Sequence, residues 1–205
     1  MTTTQEQTSE ITTLLMEECG VGRRFASASL DNFNLTNNAA QEVLNACTQF
    51  VNEWGLIYEN GSNLLMIGRP GTGKTHLAVA IMRGLMENYE TDVYMTTAQR
   101  VIRAMRDSWR QNSERTEYDV IGFYCEKELL VIDEIGMQHG TDSERLLVSE
   151  IINTRYERML PCILISNFTR DELDGFLGYR AMDRVMESVS VLPFAWDSYR
   201  RSTHG

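Results

Sequence analysis

Residues 63–75 read NLLMIGRPGTGKT, and the fold follows from how the two halves of that stretch differ. The first half, Asn63 to Ile67, is an apolar run short enough for a strand and apolar on both faces, as in the middle of a parallel sheet covered by helices. The second half, Gly68, Arg69, Pro70, Gly71, Thr72, Gly73, Lys74 and Thr75, satisfies G-x-x-x-x-G-K-[ST]. A strand that runs through a glycine-rich turn into a helix is the context a phosphate-binding loop requires. The glycines let backbone amides turn inward around phosphate oxygens, and the helix N-terminus adds its partial positive charge. Lys74 is expected to reach the β and γ phosphates, Thr75 to hold a magnesium ion, and His76 to complete the nucleotide-binding segment. The implied cofactors are ATP and Mg2+. A glycine-rich turn alone would carry little; the strand before it and the helix after it make the motif specific.

Downstream, Leu129-Leu130-Val131-Ile132-Asp133-Glu134 is a second buried strand, ending in two acids where parallel strands expose their carboxyl ends beside the loop. Asp133 is expected to bind the magnesium and Glu134 to polarise an attacking water, which points to hydrolysis rather than passive binding. Cys162 to Ser166 form a third such strand, and it ends in Asn167, a candidate sensor of the γ-phosphate. Asn at a strand end is more often a turn residue or a helix cap.

Outward from these motifs, short apolar runs near 63–68, 92–97, 128–133, 162–167 and 189–194 alternate with helical segments at about 74–88, 98–125, 142–159 and 169–188. The pattern predicts an α/β fold: a three-layer P-loop core around a five-stranded parallel sheet. Thr141-x-x-Glu144 and Thr169-x-x-Glu172 fit the capping-box pattern at two helix starts. A further helix is expected from Asn37 to Trp54, stopped by Gly55. Before it, residues 20–36 read as a connector that packs Phe25, Leu30 and Phe33 onto the core. Residues 5–19 carry Ile11, Leu14, Leu15 and Cys19 at helical spacing, a short amphipathic helix with one sticky face. The expected division is therefore a short helix and connector at 1–30, which could serve as a partner-binding element, followed by the ATPase domain at 31–205.

Composition limits the function. The 205 residues carry a formal net charge of −10 and 42% hydrophobic residues, enough for one buried core. Coating duplex DNA through overall charge is excluded, because such binding releases counterions from many basic contacts. No run of about 18 apolar residues occurs, and the N-terminus lacks both the basic region and the apolar stretch of a signal peptide, so no membrane association and a cytoplasmic location are expected. Four scattered cysteines without a C-x-x-C pair read as reduced and structural.

The run Gly68 to Thr75, the stretches IDEIGMQHGTDSE and IINTRYERMLPCILISNFT, the segment GYRAMDRVME and the ending FAWDSYR together closely resemble the DnaC family of replicative helicase loaders, over about residues 30–200. The resemblance implies an AAA+ ATPase core without the C-terminal helical lid, with Asn167 as its sensor and an arginine finger from Arg180 or Arg184. Those two arginines stand four apart on one helix face; from sequence alone, pairing with Asp183 or Glu187 at the surface is their ordinary use. The resemblance also implies ATP-dependent self-assembly into a ring or spiral, a hexameric replicative DNA helicase as partner and single-stranded DNA as ligand. ATP would then act as a switch, hydrolysed slowly, during replication initiation. An IstB-like transposition helper, which binds duplex DNA and a transposase, is the alternative within the same fold. A nucleotide-binding adaptor or inhibitor of a helicase is the alternative outside it.

The family carries a helical insertion after the second strand, and residues 98–115 supply a candidate. At roughly 100° per residue, Arg103, Arg106 and Arg110 fall within about 60° of one another, with Val101, Ile102, Met105 and Trp109 on another side. The reading is a nucleic-acid-binding arginine stripe over a buried face, with Trp109 in the core; a merely solvated helix is its rival.

Overall fold

In the computed structural model, which describes residues 14–137 and 142–199, five parallel strands form one sheet in the order β2-β3-β4-β1-β5. They are β1 (Asn63–Gly68), β2 (Val93–Thr97), β3 (Leu129–Ile135), β4 (Cys162–Ser166) and β5 (Val189–Phe194). Alternation along each strand feeds two separate cores. Leu64, Met66, Leu129, Val131, Ile163 and Ile165 face one layer, and Leu65, Leu130, Ile132 and Leu164 face the other. Each of these side chains is almost wholly buried, a burial worth about 1.5–3 kcal/mol apiece. Strands apolar on both faces need helices on both, and the sequence supplies them.

On the first face lie α1 (Asn38–Asn52), the short α2 (Trp54–Glu59) and α3 (Lys74–Tyr89). On the second lie α4 (Ala98–Ser108), α5 (Glu117–Glu126), α6 (Asp142–Glu157), α7 (Arg170–Leu177) and α8 (Tyr179–Glu187). Asn37 caps α1 by accepting from the Ala40 amide at 2.8 Å, and Gly55 does not stop the chain, which continues through it as α2. Thr169 and Glu172 form the expected capping box of α7. Thr141, of the other expected box, lies outside the described residues.

Two predicted helices are each broken in two. The segment 98–125 stops at Ser108 and restarts at Glu117, where Thr116 and Asp119 build a reciprocal capping box that specifies a new helix start. The segment 169–188 divides at Gly178, whose φ of 80° no helix interior accommodates.

The N-terminal segment packs differently from expectation. Residues 14–18 are helical, but Leu14 and Leu15 are exposed and the buried anchor is Met16. Ile11 lies outside the described residues. Met16, Val21, Ala26 and Ala28 share the core of β1 and α3, with Phe25, Leu30 and Phe33 packed as expected. The Cys19 carbonyl accepts from the Met95 amide of β2 at 2.8 Å.

Arg155 of α6 is fully buried, and all of its N–H directions are used. It donates to the carbonyls of Tyr124, Lys127, Glu128 and Pro161 and to the Cys162 sulfur. These bonds fix the corner where α5 enters β3 and α6 enters β4, and so the base of the β3 strand that carries Asp133.

Candidate functional site

The site lies where β1, β3 and β4 end. The chain leaving β1 turns through Gly68 to Gly73 and enters α3 at Lys74. Gly73 has a φ of 98°, and a Cβ there would stand 2.6 Å from the Phe33 ring, so both conformation and space demand glycine. Lys74 is buried, and its ammonium donates to the carbonyls of Gly68 at 2.6 Å and Arg69 at 2.8 Å, folding the loop around the cation. Thr72 is fully buried and its hydroxyl donates to Arg69 O at 2.8 Å.

Two strands away, Asp133 meets this loop: the Thr75 hydroxyl donates to Asp133 Oδ2 at 2.8 Å. Burial raises the Asp133 carboxyl above its ordinary value, against the bonds from Thr75 and the Glu134 amide and the charge of Lys74. A carboxylate held in that state beside a hydroxyl fits a hard divalent cation, whose charge would offset the desolvation. Glu134 follows with a φ of 59°, a left-handed conformation rare for a side chain of this kind, and stands exposed at the mouth. Asn167 stands across from it, its amide nitrogen 4.0 Å from the Met137 sulfur. Ser166 ties the ends of β3 and β4 together by donating to Ile135 O at 2.6 Å and accepting from the Phe168 amide at 3.0 Å.

Pro70, Gly71, Gly73, Lys74, Thr75, His76, Asp133, Glu134 and Asn167 thus border one cleft of about 380 Å³. Gly68, Arg69 and Thr72 form the back of the loop. Arg69 faces a different, shallower hollow and lies 3.8 Å from Asp197 across open solvent.

The opposite wall was not foreseen. Arg24, Phe25, Asn32, Phe33 and Asn34 of the connector, with Tyr199, line it. The connector is bolted to α3: Arg83 donates to Ala28 O at 3.0 Å and to Ala26 O, and a His76 ring nitrogen lies 3.1 Å from Ser29 O. Burial lowers the His76 imidazole from its ordinary value, against the bond to the Ser29 carbonyl. Phe33 packs against both His76 and Tyr199. The sequence signal for this wall was limited to Phe25 and Phe33 in an aperiodic stretch, which spoke for packing and not for a pocket.

Arg180 and Arg184, both on α8, do not reach the cleft within one chain. Arg184 pairs with Glu157 at 3.4 Å and stacks on Tyr156, rather than pairing with Asp183 or Glu187. Arg180 is exposed and has no hydrogen-bond or ion-pair partner among the described residues.

The arginine stripe needs correction. Because α4 ends at Ser108, Arg110 lies beyond the helix and pairs with Asp107 at 3.1 Å; it does not continue the face of Arg103. Arg106 is bound to the buried Glu144 of α6 at 3.1 Å, and only Arg103 projects freely from the helix. Trp109, expected in the core, is 55% exposed, with its indole N–H on Glu117 at 2.7 Å. Helical periodicity predicts a face that runs to Arg110, two residues past the end of the helix.

Set against known proteins, residues 27–205 match the family described as IstB-like ATP binding protein. The replicative helicase loader DnaC of Escherichia coli (strain K12) is 31% identical over 187 residues, covering 91% of this chain and 74% of that protein. The DnaC loader of Buchnera aphidicola subsp. Baizongia pistaciae is 28% identical over 192 residues, covering 93% and 76%. Among solved structures, a crystal structure of the DnaC helicase loader superposes with a TM-score of 0.76 at 25% identity, covering 84% of this chain and 99% of that one. The replication initiator DnaA bound to AMPPCP and single-stranded DNA shares the fold, with a TM-score of 0.69 at 19% identity over 83% of this chain and 50% of that one.

Proposed function

This chain belongs to the IstB-like ATP-binding family and stands with the DnaC replicative helicase loaders, and we propose that it is an ATP-dependent loader that binds a hexameric replicative helicase and single-stranded DNA and sets the one on the other. The observation that carries this is the extent of the likeness, which spans 91% of this chain and 74% of the DnaC loader rather than stopping at the nucleotide motifs.

Within the cleft, Lys74 and the loop amides would hold the phosphates, and Thr75 and Asp133 the magnesium. Glu134 would polarise the attacking water and Asn167 would report the γ-phosphate. Arg180 would serve the ATP of a neighbouring subunit, because it is exposed and has no partner among the described residues, where Arg184 is held by Glu157 and Tyr156. Mixing Arg180→Ala with Lys74→Ala protein tests this: partial recovery of turnover is expected, and no recovery at any ratio leaves Arg180 structural. Among the arginines proposed for single-stranded DNA, Arg103 and Arg110 present the more exposed charge, with Arg106 tethering the helix to α6. On this reading the protein works in the cytoplasm, at the replicating DNA, and residues 1–30 hold a helicase contact built on Leu14 and Leu15.

Capture of candidate hexameric helicases with and without ATP tests the main reading. Helicase retention that changes with ATP, together with stimulated helicase loading on single strands, is expected. Retention with blocked unwinding would identify an inhibitor. Capture of a transposase on duplex DNA would identify a transposition helper, a reading that the net charge of −10 disfavours.

A further inference from the structure

The end of the described chain reaches back to the phosphate loop at two points and to the connector at a third, and at each of them the tail supplies the donor. The Trp196 indole N–H donates to Thr72 O at 3.0 Å, the Tyr199 amide donates to Gly71 O at 2.9 Å, and the Tyr199 hydroxyl donates to Asn34 O at 2.7 Å. Trp196 is buried and leans on Phe194 of β5, so the donor is carried on a rigid support.

The two loop carbonyls matter because of what lies on the other side of each peptide bond. No peptide bond in the described chain is cis, and in a trans peptide the C=O of one residue and the N–H of the next point in opposite directions. Drawing Gly71 O toward the tail therefore turns the Thr72 N–H away from it. Drawing Thr72 O toward Trp196 likewise turns the Gly73 N–H away from Trp196. Neither of those amides donates to any acceptor among the described residues, although buried amides are nearly always paired. Gly71 and Gly73 hold φ of 81° and 98°, a region that glycine enters without steric cost, and the loop's own side-chain bonds go to the Gly68 and Arg69 carbonyls, so the bonds from the tail are what holds the Gly71 and Thr72 carbonyls.

From this we infer that the segment from Trp196 to Tyr199 positions the phosphate loop, holding the Thr72 and Gly73 amides toward the phosphates, and that the Tyr199–Asn34 bond joins that setting to the far wall of the cleft. Trp196 and Tyr199 are positioning residues: they act through the loop and do not themselves touch phosphate. The inference rests on reading Gly68–Thr75 as the phosphate site.

Trp196→Phe keeps an aromatic ring against Phe194 and removes the one donor. Titrating the 205-residue chain with ATP, ADP and AMP, at a temperature well below unfolding, is expected to show ATP and ADP affinity falling about five- to tenfold. AMP, measured by displacement of a fluorescent ADP, stays within about twofold, because it lacks the phosphates that the two amides face. In amide hydrogen exchange at saturating ADP, where those amides would donate to phosphate, Thr72 and Gly73 should be less protected in the variant than in the parent while β1 keeps its protection. Folded Trp196→Phe protein that binds ATP as the parent does overturns the inference, and so does a parallel loss of AMP. If Trp196→Phe does not fold, Tyr199→Phe decides: a two- to threefold loss of ATP affinity supports the linkage, and unchanged affinity overturns it. A parent protein that binds no ATP at all would instead remove the reading of the site.

Discussion

The two walls of the cleft are built by opposite means. The phosphate wall comes from one contiguous octapeptide and two strand ends, and its parts meet through charged or hydroxyl side chains: Lys74 on the Gly68 and Arg69 carbonyls, Thr75 on Asp133. The facing wall comes from residues 24–34 and Tyr199, which are far apart in sequence. It is fastened almost entirely through main-chain carbonyls, those of Ala26, Ala28, Ser29 and Asn34. The first arrangement needs particular residues at particular spacings. The second needs particular donors, Arg83, His76 and Tyr199, but almost any residue can offer the acceptor.

If that contrast is right, single substitutions on the phosphate wall have the larger effects. Lys74→Ala should lower ATP affinity on the order of 100-fold, since it removes the loop's cation; equilibrium titration measures it. Glu134→Gln should leave ATP affinity nearly unchanged and slow turnover, also on the order of 100-fold, and equal steady-state hydrolysis by variant and parent would remove Glu134 as the water-polarising group. Arg83→Met keeps the aliphatic stem but releases the Ala26 and Ala28 carbonyls. A loss of ATP affinity of about tenfold is expected, with faster proteolysis within residues 22–34, and a loss as large as that of Lys74→Ala would erase the contrast. At the bottom of the scale stands Arg69→Ala: its contact with Asp197 spans 3.8 Å between exposed groups, and ATP affinity should stay within about twofold.

The same contrast explains what could be seen in the sequence. Gly68–Thr75 and Asp133-Glu134 were legible because backbone geometry and phosphate chemistry leave few alternatives, and the parallel sheet was legible because LLMIG, LLVID and CILIS are apolar on both faces. The far wall was hidden, since no spacing rule connects Asn34 with Tyr199. Helix breaks were partly visible: Thr116-x-x-Asp119 is a capping box in plain view, and reading it would have ended α4 early, freed Trp109 from the core and kept Arg110 off the Arg103 face. Met16, not Leu14 or Leu15, anchors the N-terminal turn because tertiary packing chose between adjacent apolar residues that helical periodicity cannot rank.

The bond from the Met95 amide to the Cys19 carbonyl has a practical consequence for anyone shortening this chain. β2 is an outer strand of the sheet, and outer strands with open amides recruit other chains and aggregate. Cys19 and Gly20 shield that border. Gly20 can lie so close only because it has no side chain, since a Cβ there would stand 2.1 Å from Met95 O. A truncation removing residues 1–20 would therefore strip a protective rim as well as a candidate partner contact, and insolubility of the product would be mistaken for lost binding. Cutting before Leu14, or changing Leu14 and Leu15 to glutamate in the intact chain, separates the two.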